Sequence, residues 1–376
     1  MQLERIQVEG FKSIRELDLE LRPLNVLIGA NGSGKTNFIG VFHLLSEMLQ
    51  QRLQVYTGSV GADSLLYYGA KTTQQISLEL SFAMDKPDWY NGYSAVLAPT
   101  DQETLFFVKE TAWMHNRNIF THPRYDALGG GHRETQLFEL SASSPDRRIG
   151  VDYIIGALAR ARVYHFHDTS RQAGIKQRGP IDDNASLRPD ASNLAAFLYR
   201  LEAAETAYYE RIVRTIRLVA PFFDDFDLRP AGQDPDKIRL EWREQGSDTY
   251  FNAHSLSDGT LRFMCLATLF LQPQPPAVIL IDEPELGLHP YAIALLANLI
   301  ESAAERSQVI VSTQSVTLIN QFAPEDVIVV DRSDEQSVFR RLEADVLAEW
   351  LEVYGLGELW EKNIIGGRPQ HPERSI

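Results

Sequence analysis

The 376-residue sequence has a single cysteine, Cys265, so an internal disulfide is excluded. No apolar run approaches the ~20 residues that a membrane helix needs; the longest lies around Ala277 to Ile281. The opening Met1-Gln2-Leu3-Glu4-Arg5 lacks the charged-then-apolar build of a signal peptide. Together these absences make the cytoplasm the expected location and give no reason to expect a membrane. An excess of positive charge is also missing. Lys and Arg number 36 against 51 Asp and Glu, a formal charge of −15, so any contact with nucleic acid would need a local basic patch working against the field of the whole molecule. DNA therefore stays a candidate partner that composition does not support. Low-complexity tracts and internal repeats are absent, and the longest helical pattern, Leu194 to Val219, is too short for a coiled-coil arm that would bridge DNA over a distance.

What is present is the patterning of a mixed α/β protein. Apolar and polar residues alternate over 2–9 and 16–21 around Gly10-Phe11-Lys12-Ser13, the pattern of a hairpin. Leu24 to Ile28 is a nearly continuous apolar run, as in a strand buried on both faces. A helical stripe of Phe38, Phe42, Leu45 and Leu49 follows. Period-two segments at 76–82, 104–108 and 135–140 predict an antiparallel β-subdomain, with Pro87, Asn91-Gly92, Pro99 and Gly129-Gly130-Gly131 as its turns. Helical spacing over 151–161 and 194–219, with a strand at 162–167 between them, predicts a helical lid. Strands near 226–229, 237–242, 277–281, 307–312 and 326–331 and helices over 258–271 and 290–304 then follow βαβ logic. The expected division is an α/β core built from 1–85 and 226–345, an inserted β-subdomain and helical lid over 86–225, and a docking tail over 346–376.

Gly29-Ala30-Asn31-Gly32-Ser33-Gly34-Lys35-Thr36 sits between a predicted buried strand and a predicted helix, the context a phosphate-binding loop requires. Its glycines let backbone N–H groups face a β-phosphate at the positive end of a helix. Lys35 is placed to reach the β- and γ-phosphates of ATP, and Thr36 to ligate Mg2+. A second motif, Val278-Ile279-Leu280-Ile281-Asp282-Glu283-Pro284-Glu285, is an apolar strand ending in acids. Asp282 would hold the Mg2+ shell and Glu283 would orient or deprotonate the attacking water. His165-x-His167-Asp168 has metal-binding spacing, although no further Cys or His cluster supplies more ligands, so the alternative is a pair lining a cleft. Arg160, Arg162, Arg171, Lys176 and Arg178 read either as a phosphate-binding patch or as a solvated face, and Trp350 and Trp360 as a docking helix rather than a ligand platform.

Leu256-Ser257-Asp258-Gly259-Thr260, ahead of the acidic strand and at the start of a helix, resembles the ABC signature Leu-Ser-Gly-Gly-Gln. With Gly10-Phe11-Lys12-Ser13, Gly287-Leu288-His289-Pro290 and Ser312-Thr313-Gln314-Ser315 in order, the chain resembles the SMC/RecF/OLD group of ABC ATPases over most of its length. Tyr164 to Ser170 and Leu359 to Asn363 also look like a bacterial subfamily of predicted ATPases. The resemblance implies a P-loop NTPase fold of ABC type and hydrolysis of ATP with Mg2+. It implies a homodimer that sandwiches ATP head to tail: Ser257 and Gly259 would grip the γ-phosphate held by the other copy, Leu286 to His289 would form the D-loop that crosses to it, and Gln314 would take the switch position. It further implies a switch acting on DNA or on a protein effector, in DNA repair or antiphage defence. The sequence departs from the group at Asp258, Thr260 and Gln314, where Gly, Gln and commonly His stand; glutamine cannot carry a proton at neutral pH, so turnover is expected to be slow. No segment clearly supplies a Q-loop, with Gln74 and Gln75 the nearest candidates. About 45 residues follow the last predicted core strand, fewer than the ~100 of the Toprim nuclease domain that OLD nucleases carry, so the chain is not expected to cut DNA unaided. Two rival readings remain open, a nucleotide-binding interaction protein with little turnover and the nucleotide-binding subunit of a transporter.

Overall fold

Four short apolar runs converge into one central sheet. In a computed structural model, which describes residues 2–84, 86–143, 145–231 and 234–368, β3 (Leu24–Ile28), β15 (Val278–Asp282), β16 (Gln308–Thr313) and β17 (Val327–Ser333) lie in parallel, with β8 (Ala161–Tyr164) parallel at one edge and β18 (Gln336–Arg341) antiparallel at the other. The order is β18-β17-β3-β16-β15-β8. Successive side chains of a strand point to opposite faces, and here both faces are covered. Val26, Ile279, Ile281, Val309 and Val329 join one apolar cluster. Leu27, Val278, Leu280, Ile310 and Ile328 join another.

The first cluster is closed by helices α6 (Leu194–Ala204), α7 (Thr206–Val219), α8 (Asp258–Leu271), α9 (Pro290–Ala304), α10 (Val316–Ile319) and α12 (Leu356–Glu361). The second is closed by α1 (Lys35–Leu49), α2 (Leu53–Val60), α3 (Ala62–Leu65), α4 (Leu137–Ser143) and α5 (Pro145–Ala159), and by a second sheet. That sheet joins β1 (Gln2–Phe11), β2 (Ile14–Glu20), β4 (Ile76–Ala83), β5 (Trp89–Pro99), β6 (Leu105–Asn116) and β7 (Arg124–Gly129) in the order β2-β1-β4-β5-β6-β7, with every pair antiparallel. Two small sheets fringe the helical side. One joins β10 (Phe223–Phe226), β13 (Glu241–Glu244) and β14 (Tyr250–Asn252); the other joins β9 (Gly179–Pro180), β11 (Pro230–Ala231) and β12 (Asp234–Ile238). The last large helix, α11 (Ala344–Leu351), buries Leu347 and leaves Val346 and Trp350 exposed.

Several local expectations are corrected. Residues 135–140, expected as a strand, open α4: the buried Glu110 carboxylate accepts from the Gln136 main-chain N–H at 2.9 Å and from the Thr135 hydroxyl, and that hydroxyl in turn accepts from the Leu137 N–H at 3.3 Å. These tertiary bonds turn the chain into a helix whose Leu137 and Leu140 share a face. Asn91-Gly92, expected as a turn, lies inside β5, because a Cβ on Gly92 would stand 1.8 Å from the Trp113 ring on β6. The single helix expected over 194–219 breaks at Glu205, whose backbone leaves the helical region at φ −140° and ψ 49°. The strand expected over 226–229 is β10, at Phe223–Phe226, and the one expected over 237–242 is divided between β12 and β13. A cut at residue 85 passes between two hydrogen-bonded strands, β4 and β5, and the segment 86–225 expected as an insertion itself supplies β8 to the central sheet. Residues 369–376 of the expected tail lie outside the described residues.

If Gly92 is a packing position rather than a turn, Gly92→Val should lower the stability of the fold by about 2 kcal/mol through overpacking. Trp113→Ala in the same chain should recover part of that loss. Denaturant unfolding of both variants measures it, and an unchanged midpoint in the single variant would return the residue to a turn role.

Candidate nucleotide site

The loop from Gly29 to Thr36 leaves the C-terminal end of β3 and enters α1, and its shape is held from outside. A Cβ on Gly34, which has φ +121°, would meet Ser337 Oγ on β18 at 2.0 Å. Ser337 Oγ donates to the Ser33 carbonyl at 2.5 Å and lies 2.6 Å from Ser13 Oγ, which accepts from Asn37 Nδ2 at 2.7 Å. The turn after Phe11 and the hairpin β17–β18 thus clamp the loop from two sides. Lys35 is buried, and its Nζ donates to the carbonyls of Gly29 at 2.6 Å and Ala30 at 3.0 Å, inside its own loop. Burial holds this ammonium below the ordinary lysine range against the opposing pull of Asp282, Glu283 and Glu285. Ser33 Oγ is buried without a hydrogen-bond partner, and Gly34 gives the first turn of α1 no side-chain cap. Lone N–H groups, an orphan hydroxyl and an ammonium bound only to carbonyl oxygens are a donor set that suits a polyphosphate. Gly32 is more open: a Cβ there would meet nothing within 4 Å. A cavity of about 270 Å³ lies beside Ala30 to Ser33, walled by Val330 to Arg332 and by Gly367 and Arg368.

Register brings the acids to this loop. In the parallel ladders Asp282 stands beside Ser312, and Thr313 beside Ile28, the residue before the loop. Thr36 Oγ1 consequently lies 3.3 Å from Asp282 Oδ2, an oxygen pair of the hard-donor type that Mg2+ prefers. Glu283 is held at φ +42°, an unusual backbone for a residue with a side chain, by its N–H bond to the Ser312 carbonyl at 2.7 Å. Gln314 Nε2 donates both its hydrogens, to Glu283 Oε1 at 2.5 Å and to Asn31 Oδ1 at 2.6 Å. The amide thereby ties the tip of the phosphate loop to the acid at the strand end. Behind them Glu285 is buried and accepts from the Thr313 hydroxyl at 2.5 Å; burial raises it above the usual carboxylate range.

Ser257 and Gly259 lie at the start of α8, against the loop that follows the acidic strand. Ser257 caps α8, its Oγ accepting from the Thr260 N–H at 3.1 Å and lying 2.8 Å from Thr260 Oγ1. A Cβ on Gly259 would stand 2.3 Å from the Gly287 carbonyl, so only glycine lets the start of α8 touch the loop after the acidic strand. Among the described residues no hydrogen bond joins Ser257 or Gly259 to the loop 29–36.

Sequence reasoning missed two side chains that organise this region, Ser337 and Arg262, and gave a third, Lys176, another role. Ser337 has been described. Arg262, one turn into α8, donates to the carbonyls of Leu286 at 2.8 Å, His167 at 3.0 Å and Phe166 at 3.2 Å, pinning α8, the loop after the acidic strand and the segment after β8 together. Lys176, sought as part of a basic patch, is turned inward towards Asp258. An arginine at helical spacing after a Ser-Asp-Gly turn was the only signal for the second, and nothing local marked the first.

The remaining candidates separate. His167 Nε2 lies 3.0 Å from the Asp282 carbonyl oxygen, and burial lowers the pKa of His165. Among the described residues no group of three or more His, Cys, Asp or Glu is arranged to hold a metal, so the pair lines the acidic strand instead. The five cations do not form one patch: Arg160 and Arg162 border cavities at the start of the central strands, the first of them of about 720 Å³, whereas Lys176 lies by the signature. Gln74 and Gln75 border a separate groove with Glu9 and Arg15. Trp350 is exposed, and Trp360 packs partly against the helical core. Among the described residues no helix is long and apolar enough to cross a membrane.

The family described as "AAA domain, putative AbiEii toxin, Type IV TA system" matches residues 24–320. The chain belongs to it. Local similarity to RecF proteins and a fold shared with Smc heads support an ABC-type ATPase of the SMC/RecF group. The DNA replication and repair protein RecF of Cronobacter sakazakii is 29% identical over 143 residues, 37% of this chain and 38% of that protein; RecF of Acinetobacter baumannii is 30% identical over 82 residues, 21% and 23%. The matched stretch thus spans well under half the length of these relatives. An Smc head solved with the C-winged helix domain of ScpA superposes with a TM-score of 0.59 at 18% identity, covering 92% of this chain and 99% of that one. An Smc head with an extended coiled coil, bound to a ScpA C-terminal domain derived from Pyrococcus furiosus, gives 0.52 at 16% over 93% and 98%. At such identities the likeness speaks for the fold, an ABC-type P-loop fold carrying an antiparallel sheet.

Lys35→Ala should weaken ATP binding by at least about 30-fold, the equivalent of one charged hydrogen bond of ~2 kcal/mol. Unfolding temperature should change little, because the ammonium serves only carbonyls of its own loop. Titration with a fluorescent ATP analogue measures the loss.

Proposed function

We propose that the chain binds and slowly hydrolyses ATP, and that its active site is completed by a second copy arranged head to tail. The observation that carries the reading is the Gln314 amide, which joins Asn31 of the phosphate loop to Glu283 at the end of the acidic strand. In this reading Gly29, Asn31, Gly32, Ser33, Gly34, Lys35 and Thr36 hold the phosphates through backbone N–H groups and the lysine. Thr36 and Asp282 would hold Mg2+, which when bound neutralises charge on the terminal phosphates. Glu283 accepts a hydrogen bond or a proton from the attacking water, and Gln314 fixes the rotamer of that carboxylate. Because Gln314 bonds Glu283 Oε1 directly, one carboxylate oxygen is already engaged, which supports slow turnover.

Support for a composite site comes from the outward placement of the signature. The Ser257 side chain is exposed at a helix N-terminus, a place suited to an anion, and Leu286 and Tyr291, in the loop after the acidic strand and in α9, are exposed as well. We take ATP to close such a dimer and hydrolysis to reopen it. The β-sheet built from both sides of residue 85 and the helices α6 and α7 are taken to pass the change to a client. That client is DNA or a protein effector, in DNA repair as the RecF relatives' name describes, or in antiphage defence, towards which the toxin–antitoxin wording of the family description leans. A cytoplasmic location accords with this. The second reading, a nucleotide-dependent interaction protein with negligible turnover, is favoured by the same Gln314–Glu283 bond.

Phosphate release from the wild-type chain and from Glu283→Gln separates the two: the ATPase reading expects a fall of at least about 100-fold, within the range for loss of a general base. Equal rates would leave the interaction protein standing. Ser257→Arg should keep ATP binding by one subunit while abolishing ATP-dependent dimerisation and hydrolysis, and a dimer that survives this change in light scattering would rule out the composite site.

A further inference from the structure

The signature holds an aspartate where the related motif holds glycine, and that aspartate stands at a place where a phosphate is to bind. Asp258 is the first residue of α8. A carboxylate in the first turn suits the helix dipole, but it competes with a second anion for the same N–H groups. Left unneutralised, it would oppose the γ-phosphate brought by the partner copy.

Lys176 answers that charge. It ends the one-turn helix Gly174–Lys176, anchored by the buried Ala173 and Ile175. Its side chain is only 7% exposed, against 61% for Asp258, and its Nζ lies 3.7 Å from Asp258 Oδ1 while donating to the Thr169 carbonyl at 2.6 Å. A lysine ammonium is strongly hydrated, and burying it is costly unless an anion stands near. Among the described residues Asp258 is the one carboxylate within ion-pair distance of it, while Asp168 acts on it from further away. The buried partner is therefore held by the fold, and the exposed partner is the one on the proposed dimer face.

We infer that Lys176 is a positioning residue for the trans-acting phosphate site: it cancels the charge of Asp258 and holds that carboxylate to one side. The Ser257 hydroxyl and the opening N–H groups of α8 then meet the partner's ATP without net repulsion. The segment 165–178 thereby becomes part of the signature, since Arg262 ties Phe166 and His167 to the same helix and to Leu286. This inference rests on the composite-site reading given above.

The test is a double-mutant cycle on ATP-dependent dimerisation, read by light scattering across protein concentration in a Glu283→Gln background that suppresses turnover. Lys176→Gln should weaken dimerisation by about 30-fold, as one uncompensated charge near the phosphate predicts, and leave ATP binding by the single subunit intact. Asp258→Gly added to Lys176→Gln should bring dimerisation back to within about threefold of the parent, because the charge to be cancelled is gone. A lysine that merely props the loop through Thr169 would be as damaging with Asp258→Gly as without it, and absence of rescue overturns the inference. Asp258→Asn provides an arm that leaves Lys176 in place. It should dimerise as tightly as the parent or more so, and weaker dimerisation overturns the charge account. Ser257→Arg separates this inference from its premise. If Ser257→Arg still dimerises, the composite site itself fails; if Ser257→Arg stays monomeric while Lys176→Gln dimerises like the parent, only the role of Lys176 falls.

Discussion

Everything at the candidate site depends on the register of three parallel strands. With β3, β16 and β15 side by side, Ile28, Thr313 and Asp282 finish almost level, and the segments that follow them emerge at one edge of the sheet. One edge then carries a phosphate loop, an amide and three acids. Like charges so close would repel, and the fold disperses them by environment. Glu285 is buried and capped by Thr313, Glu283 is held by Gln314, and Asp282 faces Thr36. Slipping β15 by one residue would turn Asp282 to the other face of the sheet, and slipping β3 or β16 would misplace the phosphate loop or Gln314.

Much of this was legible in the sequence because the relevant signals are local. A continuous apolar run before Gly29 and another before Asp282 announce buried parallel strands, and glycines at 29 and 34 with Lys35 announce a loop shaped for phosphate. The helices expected at 258–271 and 290–304 are α8 and α9, which the structure caps with Ser257 and with His289 ahead of Pro290. The family comparison adds the class, although the correspondence of individual site residues rests on motif and geometry.

What was not legible depends on contacts far along the chain. Thr135 to Leu140 alternates like a strand, yet Glu110, some 25 residues earlier, supplies the bonds that coil it. Asn91-Gly92 has the look of a hairpin turn, and only the Trp113 ring explains why a glycine stands mid-strand. Ser337, about 300 residues from the phosphate loop it clamps, sits among ordinary hairpin residues. Arg262 and Lys176 look like solvated charges, and their meaning appears only when the loop after the acidic strand, the segment after Tyr164 and α8 are brought together.

The span of the central sheet also bears on biogenesis. Its strands are drawn from residue 24 to residue 341, and the phosphate loop is packed against β17 and β18. A ribosome releases the Gly29 loop about 300 residues before the neighbours that shape it. The long sequence separation of these contacts makes for slow assembly, with apolar strand faces uncovered in the meantime. Nucleotide affinity should therefore arise only once Ser337 has emerged, and nascent chains that stop before it should lack a formed phosphate loop while remaining clients for chaperones.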